Sequence, residues 1–121
     1  MLGDEKVEYE IEQTTGTGKY DGGATSGAYM FTLIGSEGET SPHDCSADRS
    51  KGGFGRCTFK DAAVIGKLSG VRIKNTSDNT WVFVSMSVKV NGVAQGVWMG
   101  TGSQGRVSDY KTLEITLKTV T

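Results

Sequence analysis

His43 is the sole histidine of the chain and sits in Ser41-Pro42-His43-Asp44, so a hydroxyl, an imidazole and a carboxylate lie close together in sequence. These are the groups that hydrolytic acyl transfer uses, but they must converge in space, and neighbours on an extended chain point apart. The expectation is therefore a polar-loop histidine. A small hydrolase stands as an alternative that requires a nucleophile and a carboxylate brought to the ring from elsewhere. Glu8, Glu10 and Glu12 offer a second set of reactive groups. A glycoside-processing carboxylate pair needs a cleft and a controlled separation, whereas strict alternation on one strand is what a solvated face produces.

Cys45 and Cys57 flank a polar stretch. In an oxidising compartment a disulfide between them would staple a small domain, which carries the expectation of a secreted or extracellular protein. Two cysteines and one histidine do not make a zinc site. Asn75-Thr76-Ser77 fits an N-glycosylation acceptor in a turn. Arg49, Lys51 and Arg56 cluster but are interspersed with Asp44, Asp48 and Asp61, which favours plain solvation over an anionic-lipid site. Gly52-Gly53-Phe54-Gly55 lacks the strand-to-helix flanks of a phosphate loop. Trp81 opens a long apolar strand and is expected in the core. Trp98-Met99, together with Tyr20, Tyr29 or Tyr110, forms a candidate aromatic rim for a lipid surface, a protein or a sugar; cross-strand packing of Trp98 on Phe83 is the structural alternative.

Positioning these groups falls to strands. The 121 residues suit one domain, 1–121, and 18 glycines with one proline read as turns between short strands. Thirteen basic against fourteen acidic side chains leave a formal charge of -1, so no nucleic-acid footprint is expected. No apolar run reaches the length of a membrane span, and Met1-Leu2-Gly3-Asp4-Glu5-Lys6 lacks the apolar centre of a signal peptide, so a secreted protein implies a leader already removed. Alternation in Lys6–Glu12 buries Val7, Tyr9 and Ile11. Ala28–Ile34, Cys57–Phe59, Gly70–Lys74, Val93–Met99 and Lys111–Lys118 follow as strands, with at most an edge strand between Gly35 and Gly55. In Trp81–Val90 the pattern places Val82, Val84, Met86, Val88 and Val90 on one face, with Trp81 and Phe83 on the other. Asn91-Gly92 predicts a type I′ hairpin into Val93. Roughly seven or eight strands without a helical repeat imply an all-β antiparallel sandwich.

From Tyr9 to Val90 the pattern resembles the PLAT family, also called LH2 or lipoxygenase homology domains. The resemblance rests on Thr15-Gly16 after the first strand and Gly22-Gly23-Ala24-Thr25-Ser26-Gly27 running into Ala28–Gly35. Gly38-Glu39-Thr40, Phe59, Ile65–Ile73 and the turn into Trp81–Val88 complete it. It implies an eight-stranded sandwich of two four-stranded sheets serving as a non-catalytic module that binds a protein or a lipid headgroup surface. It also implies a calcium site at one end, for which Asp21 and Asp78 supply candidate oxygens, although Ser26 replaces an acidic residue of the family pattern and ordinary turn capping is the preferred role for both aspartates. Lys19, Tyr20, Trp98 and Met99 are the expected surface contacts. A carbohydrate-binding or structural sandwich is the alternative. Partner identity and oligomeric state are not encoded in any recognisable motif.

Overall fold

The computed structural model describes residues 6–15, 29–44, 53–77, 81–100, 104–108 and 110–120. These form ten strands: β1 Val7–Thr15, β2 Tyr29–Gly35, β3 His43–Asp44, β4 Phe54–Asp61, β5 Leu68–Asn75, β6 Trp81–Val90, β7 Val93–Met99, β8 Arg106–Val107, β9 Thr112–Thr116 and β10 Lys118–Thr119. One sheet runs β10-β7-β6-β1-β4, with β8 added to β6, and the other runs β3-β2-β5-β9. All the pairings are antiparallel. The architecture is thus a sandwich, not a closed barrel, with six and four strands in place of the expected four and four. The surplus of two lies in the larger sheet and comes from short pieces, since β8 and β10 have two residues each.

Side-chain alternation on β1 places Tyr9, Ile11, Gln13 and Thr15 inside. Phe31 and Leu33 of β2, Val71 and Ile73 of β5 and Met86 and Val88 of β6 meet them in the interior. Burial of apolar surface between the two inner faces supplies the main driving force for such a fold. The Asn91-Gly92 hairpin is present with φ of 50° and 83° at its two residues. Asn91 also ties the hairpin tip to β1, because its Oδ1 accepts the Glu8 N–H at 3.0 Å and its own N–H donates to the Glu8 carbonyl at 2.7 Å.

Two expectations about faces are corrected by bulges. Opposite β1, Thr14 pairs with Ser85 but Thr15 pairs with Phe83, so Val84 is an extra residue that reverses the alternation. Trp81 and Phe83 therefore point into the same core as Met86 and Val88, instead of opposing them. The last strand also divides: Leu113 and Ile115 lie in β9 of the four-stranded sheet, while Lys118 and Thr119 cross to β7 in the other, with Leu117 buried at the corner.

Of the two cysteines expected to form a staple, Cys45 lies outside the described residues. Cys57, half-buried on the inner side of β4, is not a free thiol. Non-covalent ties between the sheets include ring packing around Trp81, the His43–Asp61 ion pair with the His43 ring stacked on Phe59, and the hydrogen bond from the Asn75 amide to Val107.

Candidate docking end of the sandwich

Strand register places the last residue of β1, the first of β2, β4, β6 and β9, and the last of β5 and β7 at one end of the sandwich. Trp81 joins the sheets there, with its ring centroid 5.2 Å from that of Tyr29. The connections between β1 and β2 and between β5 and β6 leave from this same end. Lys19, Tyr20 and Asp21 belong to the first and Asp78 to the second, and all four lie outside the described residues.

Three large hydrophobic side chains are exposed here: Tyr110 at 66 %, just before β9, and, on the larger sheet, Phe54 at 55 % and Met99 at 80 %. The placement of the last two follows from pairing: Phe54 faces Thr14, Thr14 faces Ser85, and Ser85 faces Met99, so the four form one cross-strand row on the outer face of the larger sheet. Between Phe54 and Met99 lies a shallow groove of about 320 Å³, lined also by Glu12, Ser85, Ser87, Val97 and Trp98. The Arg56 guanidinium carbon sits 5.9 Å from the centre of the Phe54 ring, holding that ring at the edge of the face.

Trp98 occupies a different position from its neighbour. It pairs with the inward-facing Met86, is half-buried, and packs on Phe83 with centroids 5.0 Å apart. A Cβ at Gly100 would collide with its six-membered ring, and one at Gly105 would press on the same ring, so two glycines make the seat for this indole. The bulge between Val88 and Lys89 turns Val97 outward and Trp98 inward. A sugar platform made by Trp98 with Tyr29 is accordingly not available: Tyr29 is fully buried and one face of Trp98 is taken by Phe83.

Glu10 and Glu12 on β1 are matched by cations on the adjoining strands. Arg56 donates to Glu12 from Nε at 3.1 Å and Nη2 at 2.9 Å, and Lys89 lies 3.5 Å from Glu10. Their alternation is thus that of a solvated, charge-balanced face, without a cleft between two free acids. Among the described residues no group of three or more His, Cys, Asp and Glu side chains is arranged to hold a metal ion.

His43 finds its carboxylate in Asp61, not in the adjacent Asp44. Its Nε2 lies 2.7 Å from Asp61 Oδ2, and its ring stacks on Phe59 with centroids 4.0 Å apart. Asp61 also accepts the Ser41 N–H at 3.1 Å and the Ala63 N–H at 2.8 Å. Burial alone would push this carboxyl up, but the hydrogen bonds from His43, Ala63 and Ser41 outweigh it and hold Asp61 below the usual aspartate range. Burial, with the Asp61 charge adding to it, pushes the Tyr9 hydroxyl up. Ser41 contributes its backbone, and the Thr40 hydroxyl is committed to the Ser41 carbonyl and the Leu33 N–H. The pair clamps the edge of one sheet to the edge of the other.

Asn75, the expected glycan acceptor, has a structural role in the fold. Asn75 is fully buried; its Nδ2 donates to the carbonyls of Val107 at 3.3 Å and Ser108 at 3.2 Å. Its Oδ1 accepts from the Ser77 N–H and hydroxyl. The amide thereby ties β5 to β8. Replacing Asn75 by alanine is expected to cost about 1–3 kcal/mol of stability, because buried partners lose their hydrogen bonds. Chemical denaturation checks this, and a change near zero would deny the amide its structural role.

No family model and no curated protein matches the chain at the level of sequence. Solved structures do match. A LOX variant superposes with a TM-score of 0.77 over 93 % of this chain at 12 % identity, and a LOX in complex with arachidonate with a TM-score of 0.76 at the same identity. The alpha-toxin of Clostridium perfringens superposes with a TM-score of 0.71 over 93 % of this chain at 18 % identity. The fold is a PLAT/LH2-like β-sandwich. This chain spans 16 % of those LOX chains and 32 % of the toxin, so the likeness describes one part of each larger protein. Within the PLAT-like fold, sequence reasoning passed over Phe54 and Asp61. Phe54 had a signal, a bulky aromatic between glycines in a polar stretch; Asp61 had none, since its meeting with His43 depends on how two sheet edges are brought together.

Proposed function

We propose that this protein is a non-catalytic module that docks by one end of its sandwich on a lipid surface. The observation that carries the reading is the row from Phe54 to Met99: two exposed apolar side chains on a rigid sheet, at the end from which the β1–β2 and β5–β6 connections leave. Exposed large apolar groups brought together on a folded surface mark contact sites. Three strand spacings separate the two anchors, about 14 Å, which suits a flat surface better than a narrow pocket. The likeness to LOX and alpha-toxin structures supports the reading at the level of fold. Calcium assistance through Asp21 and Asp78 is part of the proposal as a separate arm.

Sedimentation with phosphatidylcholine vesicles tests it. Phe54→Ser and Met99→Ser are each expected to weaken association roughly tenfold, the equivalent of removing about 1.5 kcal/mol of apolar burial. Both variants should keep the wild-type thermal transition, since neither side chain belongs to the core. Unchanged binding by the folded double variant would overturn the lipid reading. In the calcium arm, a chelator-sensitive increment that disappears in Asp21→Ala and Asp78→Ala supports metal assistance, and its absence removes that part alone.

A further inference from the structure

The outer face of the smaller sheet carries a second groove, of about 350 Å³, at the same end of the sandwich. Met30 and Thr32 of β2, Arg72 and Lys74 of β5 and Thr112 of β9 line it, with Pro42 and Thr76 at its rim. Register explains the grouping: Met30 pairs with Lys74 and Lys74 with Thr112, while Thr32 pairs with Arg72, so these side chains fill adjacent rows of one face.

The charges in this groove are unevenly placed. Arg72 is held by two carboxylates, donating from Nη1 and Nη2 to the two oxygens of Glu39 at 2.9 Å each and from Nε to Glu114 at 3.2 Å. Neither glutamate lines the groove. Three of the five guanidinium N–H groups are spent on fixing the fork, which leaves two for a ligand. Lys74 is exposed and has no ion pair among the described residues. The lining therefore holds Lys74, an Arg72 whose charge is balanced by Glu39 and Glu114 beside the groove, threonine hydroxyls and an apolar patch, so Lys74 supplies the uncompensated cation. Asp44, the nearest acid in the row, lies across Met30 from Lys74, about 10 Å away by strand spacing.

We infer that this groove is a headgroup site for an anionic phospholipid, with Lys74 and the pre-oriented Arg72 meeting the phosphate. The inference rests on the lipid-docking reading and names the lipid class. An anion in a mixed cationic and hydroxylic recess gains charge-assisted hydrogen bonds, and the apolar Met30 and Pro42 suit the glycerol side of a phospholipid. The groove lies at the same end of the sandwich as Phe54 and Met99, on the opposite sheet.

The test compares vesicles of phosphatidylcholine alone with vesicles that also contain phosphatidic acid, using the whole chain. Phosphatidic acid is expected to strengthen binding. Lys74→Ala should remove roughly fivefold of that increment, the effect of about one basic group near an anionic surface, and Lys74→Arg should restore it. Asp44→Asn should enlarge the increment. Lys67→Ala, at the far end of the sandwich, should leave it unchanged. Equal losses in Lys74→Ala and Lys67→Ala, or no increment at all, would overturn the site. Binding to pure phosphatidylcholine that survives such a result leaves the docking reading standing, and binding to neither vesicle sinks both. Inorganic phosphate is the remaining arm: if it saturates the protein in a Lys74-dependent way and abolishes the increment, the groove serves a soluble anion and the lipid assignment falls.

Discussion

Replacing Trp81 by alanine is expected to lower the free energy of unfolding by about 3–5 kcal/mol. Trp81 is fully buried and belongs to the larger sheet, yet its ring lies 5.2 Å from Tyr29 and 6.2 Å from Phe31, both on the smaller sheet, and 4.9 Å from Phe83 on its own strand. Its removal would open a cavity where the two sheets meet at the docking end. The indole N–H also donates to Thr15 Oγ1 at 2.9 Å, so Trp81→Phe, which keeps much of the volume, should still cost about 1–2 kcal/mol through the lost bond and the smaller ring. A domain of this size has on the order of 5–15 kcal/mol in all, and the alanine variant should therefore show a markedly lowered transition. Urea unfolding followed by circular dichroism measures it; a loss below about 1 kcal/mol would show that the neighbouring rings close over the gap.

A second large effect is expected at Asp61, where alanine substitution should cost about 3 kcal/mol. The carboxylate is 9 % exposed and receives hydrogen bonds from His43, Ser41 and Ala63, and buried bonds to a charged acceptor contribute about 1.5–3 kcal/mol before the stranded donors are counted. The pH dependence has a definite sign. Because the folded-state pKa of Asp61 is depressed, its contribution is fully present above the ordinary aspartate value and is lost as pH falls through the lower folded value. Wild type and Asp61→Asn should thus differ most near neutral pH and converge below about pH 4. Denaturation midpoints measured across that range check the claim, and curves that stay parallel into acid would mean that the clamp does not depend on the aspartate charge.

Much of this molecule was legible in local pattern. Lys6–Glu12 alternates strictly and becomes β1 with Tyr9 and Ile11 inside, because a pleated strand sends successive side chains to opposite faces whatever its neighbours are. Asn91-Gly92 makes its hairpin because positive φ is inexpensive at those two residues. The ordered likeness of short motifs pointed to the PLAT-like sandwich through features of strand and turn, and the superposed structures share that fold at low identity.

Other features were decided only by tertiary structure. Val84 looked like a core position on β6, but pairing with β1 inserted a bulge and sent Trp81 and Phe83 inward. Asn75 had the spacing of a glycan acceptor, and only the arrival of β8 buried its amide. His43 stood beside Asp44 in sequence, yet neighbouring strand residues point apart, so the carboxylate it meets is the one delivered by the edge of the opposite sheet. Lys74 and Arg72 gained a shared groove from strands distant in the chain. The sequence by itself determined which segments extend, where they turn and which faces are apolar, since these depend on neighbours a few residues apart. The tertiary structure decided which faces are covered, which polar groups are satisfied and which stay open to a partner, since those outcomes depend on the register between strands many residues apart.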